Sequence, residues 1–168
     1  MSWFDSVVYS AEAVGPWKMV SFLELRRAAA MEGLSAAEAE IYCLENGYVP
    51  SRYIRSMGTL GPDGQIRLLS SCAAVIGCGG LGGLVGDLLA RAGVGRLVFV
   101  DGDVFDETNL NRQLLATEKL LGKPKAKTAA ARAMEINGSV EAEGRQCRFD
   151  SFTADGILEG VDIVVDCL

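Results

Sequence analysis

Apolar residues along this chain recur at two spacings, and the switch between them falls at a cluster of glycines. Ala73, Ala74, Val75 and Ile76 form a short unbroken apolar run, the pattern of a buried strand. Glycines at 77, 79, 80 and 82 follow, and Leu81, Leu84, Val85, Leu88 and Leu89 then recur at i, i+3, i+4, i+7 and i+8. That spacing predicts a helix that buries the leucine stripe. Strand, glycine turn and helix in this order present backbone N–H groups and a helix N-terminus to an anion.

The same reading extends to both sides of the cluster. Residues 1 to 17, with both tryptophans (Trp3 and Trp17), have no period and read as a surface arm that packs apolar side chains on the domain or on a partner. Ser21 with Glu24 opens a helix carrying Phe22, Leu25 and Ala29 that ends near Gly33; Ser35 with Glu38 opens a second, carrying Ala37, Ile41 and Leu44 and closed by Asn46-Gly47. Both openings have capping-box spacing. Pro50 and a G-P-D-G turn (Gly61 to Gly64) bracket R-Y-I-R, Arg52 to Arg55, and Gln65 to Ser71 then leads into the first core strand. Further strands are predicted at Arg96 to Val100, Arg145 to Phe149 and Val161 to Asp166. Helices are predicted from Pro124 to Asn137, with Ala126, Ala129, Ala130 and Ala133 inward, and near Ala154 to Leu158. Alternating strands and helices give a parallel, right-handed α/β sheet in the order 3-2-1-4. Val161, Ile163, Val164 and Val165 read as an interior strand covered on both faces, yet no helix or strand follows to cover them. The expectation is a fragment of a longer protein, or an edge that another chain covers.

Composition narrows the function classes. Of 168 residues 49% are hydrophobic and 23% charged, and the net charge is −6. This suits a globular domain and argues against a general nucleic-acid or anionic-membrane partner. The helix–turn–helix appearance of residues 21 to 47 does not change this: the second helix carries Glu38, Glu40 and Glu45 and no basic residue, so it would repel phosphates. Five cysteines without a C-x-x-C pair point to reduced, cytoplasmic usage rather than a disulfide framework or zinc site. The N-terminus lacks a basic n-region, and the uncharged stretch Leu68 to Gly86 is broken by glycines and serines; neither a signal peptide nor a membrane span is predicted. The chain has no histidine, so Ser-His and Cys-His nucleophile pairs and a histidine general base are excluded.

What remains is chemistry that runs on electrostatics, carboxylates or lysines. Gly77, Gly79 and Gly82 fit G-x-G-x-x-G, which permits a tight turn, close approach of a phosphate and close helix packing. Asp101, at the end of the second strand, is placed to accept from a ribose hydroxyl, which suits NAD and ATP equally. Lys123, Lys125 and Lys127 crowd the start of a helix, where each exposed cation costs about 0.3–1 kcal/mol unless an anion is bound. Arg112, in the polar stretch after Asp101, can clamp a phosphate.

Taken in order, G-C-G-G-L-G, A-G-V-G-R-L-V-F-V-D-G-D, N-L-N-R-Q, G-K-P-K-A and V-V-D-C strongly resemble the MoeB/ThiF/HesA adenylyltransferases, relatives of the ubiquitin-activating enzymes. The resemblance covers about Ser51 to Leu168 and leaves residues 1–50 as an N-terminal helical extension. It implies a Rossmann-like domain, incomplete at its C-terminus, and a homodimer. The implied activity uses Mg-ATP to adenylate the C-terminal glycine carboxylate of a ubiquitin-like sulfur-carrier protein. The backbone at Gly77, Gly79, Gly80 and Gly82 would hold the phosphates, and Asp101 the ribose. Asn109, Arg112 and Lys125 would contact phosphates, and Arg55 would reach the partner subunit's ATP. A carboxylate with a pKa of about 3.5 is already ionised, so no general base is required; Arg55, Arg112 and Lys125 would act by stabilising charge.

The family's D-C-x-D motif places a magnesium-binding aspartate one residue past Leu168, and its substrate loop and zinc-binding cysteine pairs have no counterpart here. The chain is therefore expected to bind the adenine and phosphates only partly and to adenylate poorly or not at all. An NAD-dependent oxidoreductase and a non-catalytic nucleotide-binding or dimerisation module stay open as alternatives.

Overall fold

The computed structural model describes residues 2–168. Two compact units divide at Leu69 and Ser70.

The first unit begins with helix α1 (Trp3–Val8), whose Ser2 hydroxyl and Asp5 carboxylate cap each other's backbone. Strands β1 (Glu12–Val14) and β2 (Trp17–Val20) form an antiparallel pair. Helices α2 (Phe22–Met31) and α3 (Ala36–Glu45) follow, and β3 (Tyr48–Pro50) returns parallel to β2. Residues 1 to 17 therefore pack apolar side chains on the domain, as expected, but through a helix and a strand pair rather than an irregular arm. Val7 is buried with Val20, Leu25, Ala29, Ala39 and Cys43, and Trp3 and Phe4 pack against them. A six-residue helix and a three-residue strand with every residue exposed are too short to leave a period in the sequence.

Both predicted helices form, with Ser21 and Ser35 as caps. Glu40, one of the three acids expected to make the second helix repel phosphates, lies on the buried face of α3 beside Ala39, Cys43 and Leu44. The G-P-D-G segment is also corrected. Two helical stretches, together α4 (Met57–Leu69), meet at a non-helical break at Gly61 (φ 63°, ψ 174°), so the chain does turn there. Pro62, however, opens the second stretch, and Pro62 to Gly64 are part of a helix. Gln65 to Leu69, expected to lead into a strand, is helical because Pro suits a first turn as well as a loop.

In the second unit β4 (Cys72–Ile76), β5 (Arg96–Val100), β6 (Glu141–Arg145) and β7 (Ile163–Asp166) form one parallel sheet in the order β6-β5-β4-β7. This is the predicted 3-2-1-4. Helices α5 (Gly80–Ala92), α6 (Lys125–Ile136) and α7 (Ala154–Leu158) connect the strands. The third strand lies four residues earlier than Arg145 to Phe149. Its sequence, E-A-E-G-R, has no apolar run, and it sits half-exposed at the sheet edge. Cys147 and Phe149, which attracted the prediction, pack beyond the strand against Ala74, Ile76 and Ile157. In β7, Ile163 and Val164 are exposed rather than covered on both faces.

The largest correction is the facing of α5. Leu81, Leu84 and Leu88 are 58%, 46% and 56% exposed, whereas Gly82, Gly83, Gly86, Asp87 and Ala90 face inward. The inward glycines let the helix approach the sheet closely. A methyl group on Gly86 would lie 2.3 Å from Phe99 Cε1. The variant Gly86→Ala is expected to lose about 1–3 kcal/mol through overpacking. Phe99→Leu in the same chain should recover part of that loss, measured by denaturant unfolding of the single and double variants.

Candidate functional site

The end of β4 and the end of β5 are joined by one carboxylate. Gly77, at φ 89°, donates its N–H to Val100 O at 2.8 Å. Asp101 Oδ2 accepts from Cys78 N–H and Oδ1 from Asp103 N–H, both at 2.8 Å. Two of the four lone-pair positions of the carboxylate are thereby filled, and two remain for hydroxyl donors. Burial, with the nearby Asp101 charge, pushes the Cys78 thiol up to about 12; it serves as an inert filler and not as a nucleophile.

Gly79 caps α5 without any side-chain hydrogen bond. The first-turn N–H groups of a helix have no intrahelical acceptors, and the helix dipole places positive potential there. The turn tolerates no side chain from above: a methyl group on Gly82 would lie 1.7 Å from Gly77 O, and one on Gly77 would lie 2.7 Å from Cys167 O.

Lys125, the first residue of α6, is 6% exposed. Its N–H donates to Asp103 O at 3.0 Å, and its Nζ lies 3.3 Å from Asp103 Oδ2. Gly77, Gly79, Asp101, Lys125, Arg148 and Cys167 bound one cavity of about 580 Å³. A buried ammonium, a helix start and a carboxylate with spare acceptor sites thus meet in one concavity. This set fits the phosphates and ribose of a nucleotide.

Arg112 is exposed and lines a neighbouring concavity of about 430 Å³ with Gly80 and Leu84. Its Nη1 donates to Thr108 O at 2.7 Å and to Asn111 Oδ1 at 3.0 Å. Lys125 and Arg112 therefore flank the start of α5 from two adjoining hollows, Gly79 lining one and Gly80 the other. Asn109 is buried, and its side chain caps the loop. Its Oδ1 accepts from Asp106 N–H at 3.2 Å, while its carbonyl accepts from the N–H groups of Arg112 and Gln113. It shapes the loop that carries Arg112 and does not line the Lys125 cavity. The hydroxyl of Thr108 and then its N–H hold the Asp106 carboxyl of this loop below the usual range.

The lysine cluster is split. Lys123 and Lys127 line a different cavity, of about 640 Å³, with Leu114, Leu120 and Arg132. Arg55 is exposed and belongs to the first unit, outside the residues that line these cavities.

Sequence reading missed three residues. Asp103 pairs with Lys125. Arg148 lines the cavity but was hidden by the misplaced third strand. Gln113 holds a buried Oε1 without a hydrogen-bond partner, while its Nε2 would lie 3.7 Å from a methyl group on Gly79. Its place in N-L-N-R-Q was the available signal.

The ThiF family profile matches residues 51–168. The chain belongs to the ThiF family. It is 44% identical over 117 residues to a SAMP-activating enzyme E1 of Haloferax volcanii, a match that covers 68% of this chain and 43% of that protein. A sulfur carrier protein adenylyltransferase of Thermus thermophilus is 42% identical over 117 residues, with the same coverage. Among solved structures, the tRNA N6-threonylcarbamoyladenosine dehydratase TcdA of E. coli in complex with ATP superposes with a TM-score of 0.66 at 26% identity, covering 70% of this chain and 49% of that one. This ThiF-family chain thus spans less than half the length of each of these relatives.

Proposed function

We propose that the chain carries the nucleotide site of an ATP-dependent adenylation in which the C-terminal glycine carboxylate of a ubiquitin-like sulfur-carrier protein is activated. A carboxylate oxygen forms a bond to the α-phosphorus, the bond to the β-phosphate oxygen breaks, and pyrophosphate leaves. The single observation that carries this reading is the burial of Lys125 beside the bare glycine start of α5. The names of the H. volcanii and T. thermophilus relatives, an E1 and an adenylyltransferase, support it, as does the ATP complex of TcdA.

In this reading Asp101 accepts from a ribose hydroxyl with the lone pairs left by Cys78 and Asp103. The N–H groups after Gly79 and the Lys125 ammonium neutralise phosphate charge as it shifts to the leaving group, and need no reorganisation to do so. Arg112 would leave its present acceptors, Thr108 O and Asn111 Oδ1, to reach a phosphate. Mg²⁺ typically takes one or two carboxylates plus substrate phosphates, so it would be held largely by ATP; Asp101, Asp103 and Asp150 are the carboxylates that line this cavity.

A homodimer belongs to the same proposal. Leu81, Leu84 and Leu88 on α5, with Leu110 and Leu114 on the following loop, are exposed large apolar side chains on two segments that share the Arg112 hollow. Exposed apolar clusters of this kind mark association surfaces. Arg55 would then act on the partner's nucleotide. The matched span supports an extension, 1–50, before a nucleotide-binding domain, 51–168, although residues 51–69 pack within the first compact unit. Five free cysteines support a cytoplasmic setting; no helix among the described residues is long and apolar enough to cross a membrane.

Pyrophosphate–ATP exchange tests the reading. Exchange is expected to be slow for this chain alone, to rise with a ubiquitin-like carrier ending in glycine, and to fall at least about tenfold in Arg112→Ala, the loss of one charge-assisted contact. Exchange that ignores the carrier's C-terminal glycine would contradict it.

A further inference from the structure

The first unit buries a carboxylate that nucleotide binding does not explain. Glu40 on α3 is 1% exposed. Its Oε2 accepts from the Tyr53 hydroxyl at 3.1 Å, and its Oε1 lies 3.6 Å from Arg52 Nε. Taking two ions out of water costs several kcal/mol each, and a packed apolar pair of similar volume often serves stability as well or better. Such a pair is best attested as a device that fixes register.

The register fixed here is that of a short helical turn, Ser51–Tyr53. Each of its three residues is anchored to a preceding helix. The Ser51 hydroxyl accepts from Phe22 N–H at 3.3 Å. The Arg52 guanidinium stacks 4.2 Å above the Phe22 ring while pairing with Glu40. Tyr53 is buried among Leu44, Val49, Met57 and Leu69, with its hydroxyl on Glu40. On the far side Ser56 N–H donates to Tyr53 O at 2.9 Å. Between these anchors Arg55 is exposed, and no carboxylate among the described residues pairs with it. One arginine of R-Y-I-R is locked inward, and the other is left pointing out of a stiffened turn.

We infer that Glu40 is a positioning residue for Arg55, holding Arg52 and Tyr53 so that Arg55 leaves the unit in one fixed direction toward an anionic group on a second copy of the chain. The inference rests on the proposed role of Arg55 at the partner subunit's nucleotide. A long exposed side chain on a mobile turn loses more conformational freedom when it binds than one on a fixed turn. Glu40 lowers that loss before the phosphate arrives.

The test uses the whole chain at a concentration where sedimentation gives a dimer, with ATP displacing a fluorescent ATP analogue. Six proteins are compared: wild type, Glu40→Gln, Tyr53→Phe, Arg55→Ala, and Glu40→Gln and Tyr53→Phe each combined with Arg55→Ala. Arg55→Ala is expected to weaken ATP binding about tenfold, the loss of one charge-assisted contact. Glu40→Gln should weaken it about three- to fivefold and speed hydrogen exchange at the Ile54 and Ser56 amides. The Glu40→Gln/Arg55→Ala variant should bind no more weakly than Arg55→Ala alone, because the two residues act through one contact. Tyr53→Phe, which removes only the hydroxyl, should show the same dependence on Arg55 with a smaller loss. If Arg55→Ala weakens binding while Glu40→Gln merely lowers the melting temperature, or if the losses multiply, the Glu40 assignment fails alone. If Arg55→Ala binds ATP like wild type, the role given to Arg55 fails and takes the inference with it.

Discussion

Replacing Lys125 with methionine is expected to weaken ATP binding by about ten- to a hundredfold, the worth of one or two charge-assisted hydrogen bonds to phosphate. The melting temperature should hardly move. The two effects separate because of how Lys125 is held. Its stem is buried, so methionine retains the apolar contacts. Its only ion-pair partner among the described residues, Asp103, is 76% exposed on its side chain; a pair open to water on one side contributes about 0–1 kcal/mol to stability. The cost of desolvating the ammonium also disappears in the variant. Lys123→Met and Lys127→Met serve as controls, because those side chains line the other cavity and should change affinity less than about threefold, as screened surface charges do. Calorimetric titration and thermal unfolding of the three variants check this. Unchanged ATP affinity in Lys125→Met would show that the buried lysine serves the fold alone.

The second large effect is expected from a single methyl group. Gly82→Ala places it 1.7 Å from the carbonyl oxygen of Gly77, 2.8 Å from that carbonyl carbon and 3.2 Å from Cys167 Cβ. The first two contacts are with backbone, which cannot rotate away, and Gly77 is held by its own hydrogen bond to Val100. The loop must move or α5 must lift from the sheet. A loss of about 3 kcal/mol or more is expected, at the upper end of overpacking costs. This corresponds to roughly a 10–20 °C fall in melting temperature for a unit of this size. ATP binding should be lost together with the turn. Gly156→Ala is the contrast: a methyl group there meets nothing within 4 Å, and its helical position predicts a gain of up to about 1 kcal/mol. Equal melting temperatures for the two variants would contradict the close approach of α5 to the loop.

Gly82 also shows what was legible in the sequence and what was not. The strand–glycine–helix unit, the sheet order and α6 with its inward alanines could be read because periodicity and breakers agreed on them. The direction in which α5 faces could not. Leucine at i, i+3 and i+4 identifies one stripe of a helix, but inward glycines at 82, 83 and 86 leave no hydrophobic signal, and their role is visible only where Phe99 and the Gly77 carbonyl fill the space. The burial of Glu40 is hidden in the sequence for a related reason. Its partners, Arg52 and Tyr53, are twelve and thirteen residues away, and single-sequence patterning treats a lone glutamate on a helix as solvated. The displaced third strand had a local cause: E-A-E-G-R lies at a half-exposed edge, while C-R-F looks more like a core. That slip concealed Arg148 as a wall of the cavity. Lys125 was singled out by its place at a helix start, but the three lysines of that start looked alike. Only burial distinguishes the one that faces the glycine loop from the two that do not.

Amide chemical-shift mapping on isotope-labelled chain during an ATP titration tests the central claim most directly. The largest shifts are expected at Gly79, Gly80, Leu81 and Gly82, at Asp101 and Asp103, and at Lys125, with NAD producing none of comparable size. Shifts confined to the cavity lined by Leu114, Lys123 and Arg132, with the glycine loop silent, would contradict it.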